Sequence, residues 1–169
     1  MANDKLGLPS KERIALIRNQ VSNLLWFGKL ETTAARARSV RSKAEKLITL
    51  AINSFEDTVK TVKTITDEKG VKTQREVIND GPKKLAARRA MMSFVYDLQE
   101  QKQDKESKSA FKARTLGINH PLIEKMFNVY APKYAARAKE LGTGGGYTRI
   151  IKLNQRRGDR AQMVKIELV

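Results

Sequence analysis

NQRRGDRAQMVKIELV, Asn154–Val169, is the stretch on which the fold class turns. Over Gln162–Val169, Val164, Ile166 and Leu168 alternate with Lys165, Glu167 and Val169, the period-two pattern of a strand with one apolar face. Tyr147–Leu153 reads as a second strand, and Asn154–Arg160 falls between the two as a hairpin loop. Most of the remaining chain reads as helix. The expected class is therefore α+β: four or so helices packed on a small mixed sheet that includes this C-terminal β-hairpin. Six Lys/Arg and one acid lie between Arg149 and Lys165, so the hairpin is cationic. Its tip carries Arg157-Gly158-Asp159, the tripeptide of adhesion loops. Gly158 is explained equally well as the residue that lets a turn adopt positive φ, with Arg156, Arg157 and Arg160 forming a cationic fingertip. No cysteine supplies a disulfide scaffold, and Lys5, Lys11, Glu12, Arg13 and Arg18 interrupt any apolar segment in the first thirty residues. Both facts argue against an exported adhesion ligand.

Upstream of the hairpin lies Gly142-Thr143-Gly144-Gly145-Gly146. It follows a helical pattern, precedes a strand and lacks the lysine of a phosphate-binding loop, so it reads as a flexible connector. Ser10 is placed to cap a helix over Lys11–Phe27, with Ile14, Ile17, Val21, Leu24 and Leu25 as its apolar stripe and Arg18 and Ser22 off it. Gly28 ends that helix, and Lys29–Thr32 is extended. Thr33 caps a second helix, Ala34–Ile52, whose stripe is Ala37, Val40, Ala44, Leu47, Ile48 and Ala51. Residues 58–79 are rich in β-branched side chains and predict a projecting hairpin, with arms at 59–66 and 71–78 and a turn at Asp67-Glu68-Lys69-Gly70. A third helix is expected over Pro82–Gln101, buried through Ala87, Met91, Phe94 and Leu98. Residues 101–118 form a polar loop. A fourth helix begins at Asn119-His120-Pro121, buries Leu122, Ile123, Met126, Phe127 and Tyr130, and is broken or kinked at Pro132, with further turns over Lys133–Leu141. The whole chain, 1–169, is read as one domain carrying the 58–79 arm and a polar insertion at 101–118.

The chain holds 34 Lys+Arg against 18 Asp+Glu, a net charge of +16, which calls for a polyanionic partner. The surplus is uneven. Residues 1–53 carry ten cations and four acids, 54–110 twelve and ten, and 111–169 twelve and four. The outer thirds are thus expected to make the polyanion surface. Arg36, Arg38, Arg41, Lys43 and Lys46 fall off the apolar stripe of the second helix, with Glu45 as the only acid among them. Lys83, Lys84, Arg88 and Arg89 crowd the start of the third, where they oppose the helix dipole. Aromatic residues are not interleaved with these clusters, so phosphate backbone and shape are the expected targets, as for folded RNA. His120 is the single histidine, and with no cysteine and no carboxylate cluster beside it neither a metal site nor an acid–base pair is expected. No cofactor, small-molecule substrate or membrane association is expected, and the chain reads as a non-enzyme.

Motifs in fixed order carry a resemblance. Leu30-Glu31-Thr32-Thr33, Ala44-Glu45-Lys46-Leu47-Ile48-Thr49-Leu50-Ala51, Ala87-Arg88-Arg89, Ala131-Pro132-Lys133-Tyr134, Gly145-Gly146-Tyr147-Thr148-Arg149-Ile150, Arg156-Arg157-Gly158-Asp159 and Ile166-Glu167-Leu168-Val169 follow one another along the chain. Together they resemble the bacterial large-subunit ribosomal protein L-seventeen family. The resemblance implies a structural and assembly component in the cytoplasm, on the outer surface of the large ribosomal subunit. It implies binding to large-subunit rRNA near the nascent-chain exit, with neighbouring ribosomal proteins as further partners. By resemblance the RNA-binding residues are Arg18, Arg36, Arg38, Arg41, Arg88, Arg89, Arg137, Arg149, Arg156 and Arg157, with Arg13, Lys43 and Arg160 added from the same basic stretches. The chain departs from the family pattern at Leu8 and Glu12, at Asn154-Gln155 where Gly-Pro is usual, and in its longer 54–80 and 100–119 regions. A free DNA- or RNA-binding regulator is the alternative that shares the basic patches.

Overall fold

The computed structural model describes residues 5–66 and 72–169. Helix α1 (Ser10–Phe27) ends where Gly28 takes φ 76° and donates its N–H to Leu24 O at 2.8 Å. Val21, Leu24 and Leu25 are fully buried and Ile17 is partly so, but Ile14 is 52% exposed, because the first turns of α1 run past the core. Ser22, expected off the stripe, is buried. Its Oγ donates to Arg18 O at 2.8 Å and accepts the N–H of Tyr96 at 2.9 Å.

Strand β1 (Lys29–Thr33) follows at once, and α2 (Ala34–Ile52) runs back across the molecule. Ala37, Val40, Ala44, Ile48 and Ala51 are each 0% exposed, the face that its periodicity predicts. The alanines recur every seventh residue, which keeps one line of the helix thin and lets its neighbours approach closely. Strands β4 (Thr148–Gln155) and β5 (Gln162–Leu168) complete a sheet ordered β1-β5-β4. The sheet is antiparallel throughout rather than mixed. β4 and β5 are joined by a short loop, and β1 meets β5 head to tail, so no crossover helix between parallel neighbours is required. Val164 and Ile166 of β5 lie at the centre of its buried face.

Among the described residues, strands β2 (Thr58–Thr66) and β3 (Lys72–Asp80) pair only with each other, from Thr58↔Asp80 to Thr66↔Lys72. The expected turn at Asp67-Glu68-Lys69-Gly70 lies outside the described residues. At the base of this arm, Gly81 N–H donates to Asp57 O at 2.8 Å, and the Asp57 carboxylate accepts the N–H groups of Lys83 at 2.7 Å and Lys84 at 3.3 Å. Asp57 thereby caps α3 (Pro82–Phe94) from outside its own sequence and offsets the basic first turn. A Cβ at position 81 would stand 2.4 Å from that carboxylate, which is why glycine fits there.

α3 stops at Phe94, short of the expected Gln101. Val95 is extended and buried, and the carbonyl of Phe94 and the N–H of Tyr96 are taken by Arg18 and Ser22 of α1. Tertiary hydrogen bonds replace the helical ones. Leu98, expected on the buried face, therefore lies beyond the helix and is half-buried. Within the segment expected to be loop, α4 (Lys108–Thr115) forms with no buried residue, held by a cap from Ser107 Oγ to the N–H of Ala110 and by ion pairs from Arg114 to Glu100 and Glu106.

Pro132 was expected to break or kink the next helix. Instead α5 (Pro121–Lys125), a π turn (Met126–Tyr130) and α6 (Ala131–Leu141) follow without interruption. The N–H of Ala131 reaches Met126 O, five residues back, so the widened turn accommodates the proline. Leu122, Ile123, Met126, Phe127 and Tyr130 all face the core. Tyr130 Oη donates to Leu25 O at 2.8 Å, and burial, with Tyr134 beside it, pushes its pKa up to about 12.

Candidate nucleic-acid interface

The cations divide by what already holds them. Arg88 bridges Asp80, through Nε at 2.6 Å, and Glu124, through Nη1. Lys84 also pairs with Asp80, at 3.3 Å. Burial would raise the Asp80 pKa, yet hydrogen bonds and charge from Arg88 and Lys84 outweigh it and hold the carboxyl below its usual range. Arg18 donates to Phe94 O at 2.6 Å and lies 4.9 Å from the Tyr96 ring centre. Arg137 donates to Gly146 O at 3.1 Å and clips the glycine-rich connector to α6. Lys125 donates to Trp26 O at 2.6 Å, and burial lowers its pKa. Among the described residues the Arg13 side chain bonds only to Ser10 Oγ, at 3.3 Å. Three of the residues carried by resemblance, Arg18, Arg88 and Arg137, are thus engaged inside the protein.

A second set has no ion pair or side-chain hydrogen bond among the described residues: Arg36, Arg38, Lys43, Arg89, Arg149, Arg157 and Arg160. Two grooves gather part of it. One, of about 490 Å³, is bounded by Thr33, Ala34, Ala35, Arg36 and Arg38 at the start of α2 and by Arg156 and Asp159 of the β4–β5 loop. The other, of about 730 Å³, runs along α2 past Arg38, Arg41, Glu45, Lys46 and Thr49. Arg38 borders both, so they are contiguous. Residues more than a hundred positions apart are brought to one cationic surface because β5 pairs beside β1, directly before α2. Arg13, Arg18, Lys43, Arg88, Arg89, Arg137, Arg149, Arg157 and Arg160 border neither groove.

Two acids on this surface are spent on building it. Glu45 accepts from Arg41 at 3.3 Å and from Thr148 Oγ1 at 2.7 Å, tying α2 to β4. Asp159 takes a two-pronged contact from Arg156, Nε at 2.8 Å and Nη2 at 2.6 Å, and also accepts the N–H of Ala161 at 3.1 Å. Those bonds hold the Asp159 carboxyl far below its usual range. The acid of Arg157-Gly158-Asp159 is therefore engaged in closing its own loop, while Arg157 points no bond inward. The positive φ of this loop belongs to Arg160, at 53°, and not to Gly158. Sequence reading missed the part played by Thr33, Ala34 and Ala35. Thr33 makes no side-chain cap and the first turn of α2 has no acid, so the positive end of the helix dipole opens beside Arg36, Arg38 and Arg156.

Among the described residues no group of three or more potential ligands could hold a metal ion, and no helix is long and apolar enough to cross a membrane. The family model described as "Ribosomal protein L17" matches residues 16–169. A protein named "Large ribosomal subunit protein bL17" from Lachnospira eligens is 39% identical over 184 residues, covering 98% of this chain and 97% of that protein. Proteins of the same name from Clostridium tetani, 34% identical over 98% of this chain and 96% of theirs, and Acetivibrio thermocellus, 33% identical over 99% of each, are similar along the same length. With the match running through both grooves and the sheet between them, the chain belongs to the ribosomal protein L17 family.

Proposed function

We propose that this chain is a structural, non-catalytic constituent of the large ribosomal subunit. It binds folded large-subunit rRNA through the two contiguous grooves formed by α2 and the β4–β5 loop. The observation that carries this is the junction of the grooves at Arg38, where Arg36, Arg38 and Lys46, without ion pairs among the described residues, stand on one surface with the ion-paired Arg41 and Arg156. Lys and Arg there replace counterions between RNA segments that repel one another, and release of those ions drives binding. Arginine can fork onto phosphate oxygens as lysine cannot. The open N-terminus of α2 adds a favourable potential for phosphate in the same groove. A position near the nascent-chain exit, and contact with neighbouring ribosomal proteins, belong to this reading and rest on the family resemblance.

The test replaces Arg36, Arg38 and Lys46 by glutamate and measures occupancy in large subunits sedimented at high salt. Occupancy should fall at least tenfold, with the thermal unfolding of the free chain little changed. Unchanged occupancy would move the RNA-binding surface elsewhere on the molecule. If the unaltered chain sediments free or with DNA, a regulatory nucleic-acid-binding protein is the better reading. Arg38→Ala alone should lower the slope of log affinity against log salt by about 1.

A further inference from the structure

β2 is a nine-residue strand, Thr58–Thr66, in which seven residues are β-branched and none is proline. It pairs with β3 without a register shift, and among the described residues its other edge has no strand beside it. Proteins ordinarily shorten such edges or break them with proline or a bulge, because a free row of N–H and C=O groups invites an added strand. Here only Lys60 and Lys63 interrupt the run, and neither has a carboxylate within 4 Å among the described residues. Three positions apart, they lie on opposite faces. Val62, 62% exposed, shares a face with Lys60, and Val59, 45% exposed, shares one with Lys63.

We propose that the outer edge of β2 receives an antiparallel strand from another protein: an extended segment with carboxylates opposite Lys60 and Lys63 and aliphatic side chains opposite Val59 and Val62. Read from its N-terminus, that segment runs acid, aliphatic, any residue, acid, aliphatic. Backbone hydrogen bonds supply the affinity and the alternating side chains choose the partner. The charge pattern favours an acidic protein strand over RNA. Two cations in nine residues, separated by aliphatic side chains and without an aromatic plane, make a poor phosphate track. A second copy of β2 is disfavoured because the edge would then bring four lysines together.

The partner is sought within the large subunit, so this inference rests on the proposed function. Its test uses the full chain with a photo-crosslinking benzophenone amino acid in place of Val62, expressed in cells and recovered in purified large subunits. Recovery in the particle reports on the RNA reading, and the crosslink reports on the edge. The crosslink should fall on one protein, at a segment with the stated pattern, and should drop at least tenfold when Lys60→Glu and Lys63→Glu are added, with occupancy unchanged. Alternate β2 amides, those facing the free edge, should exchange at least ten times more slowly in the particle than in the free chain. A crosslink to rRNA, to a second copy, to nothing, or one indifferent to the charge reversal overturns the proposal, as does equal exchange along β2.

Discussion

The molecule contains two antiparallel hairpins of similar length, β2–β3 and β4–β5, and they are stabilised by different means. β4–β5 has β1 as a third strand and the helices behind it, so Val164 and Ile166 are at most 2% exposed. Among the described residues β2–β3 has neither, and Val59, Val62 and Ile78 remain 45–66% exposed. Both hairpins are antiparallel ladders, so pairing alone does not distinguish them. What does is the burial of one face, which a two-stranded ribbon cannot achieve by itself. The arm is instead fastened at its root, by Asp80 to Lys84 and Arg88 and by Asp57 to the start of α3.

That contrast can be broken by substitution. Ile166→Ala, at the centre of the buried sheet, should lose about 2–5 kcal/mol in denaturant unfolding. Arg88→Ala leaves Asp80 and Glu124 part-buried without their shared partner and should cost about 1–3 kcal/mol, felt at the root of the arm. The same network sets a pH dependence. The Asp80 carboxyl is held below its usual value in the folded chain, so its contribution is complete above about pH 4 and fades as pH falls further. Asp80→Asn should flatten that acid limb, as read by thermal unfolding between pH 2 and 6. Gly81→Ala should displace the Asp57 carboxylate from α3 and cost about 0.5–2 kcal/mol, the worth of a lost cap. The smallest effect is expected from excising residues 59–79, which joins Thr58 to its cross-strand partner Asp80. The body should unfold at nearly its original temperature, whereas removing 154–160 should lower it markedly.

The sequence revealed those features that local rules control. The start of α3 at Pro82, the buried face of α2 and the alternation in β5 follow from the proline and from periodicity, although the expected Thr33 cap on α2 is not made. The early end of α3 does not, because its last groups are taken by Arg18 and Ser22, more than seventy residues away. α4 gave no apolar period to read, since it buries nothing. At the site, α2 and the terminal hairpin were legible as cationic, yet charge alone could not show that Arg18 and Arg88 turn inward. The partners that hold them, Phe94 O, Asp80 and Glu124, are set by packing.

The sheet order has a consequence for synthesis. β5, the middle strand, begins at Gln162, while β1, one of the two strands it separates, ends at Thr33. During translation β1 therefore waits, unpaired, until nearly all of the intervening chain has emerged, and β4 gains its partner only then. A chain that stops short of β5 keeps two edges and no centre. It also cannot draw Arg156 up to Arg36 and Arg38. The groove between the start of α2 and the β4–β5 loop is thus assembled last, and a prematurely terminated chain lacks it.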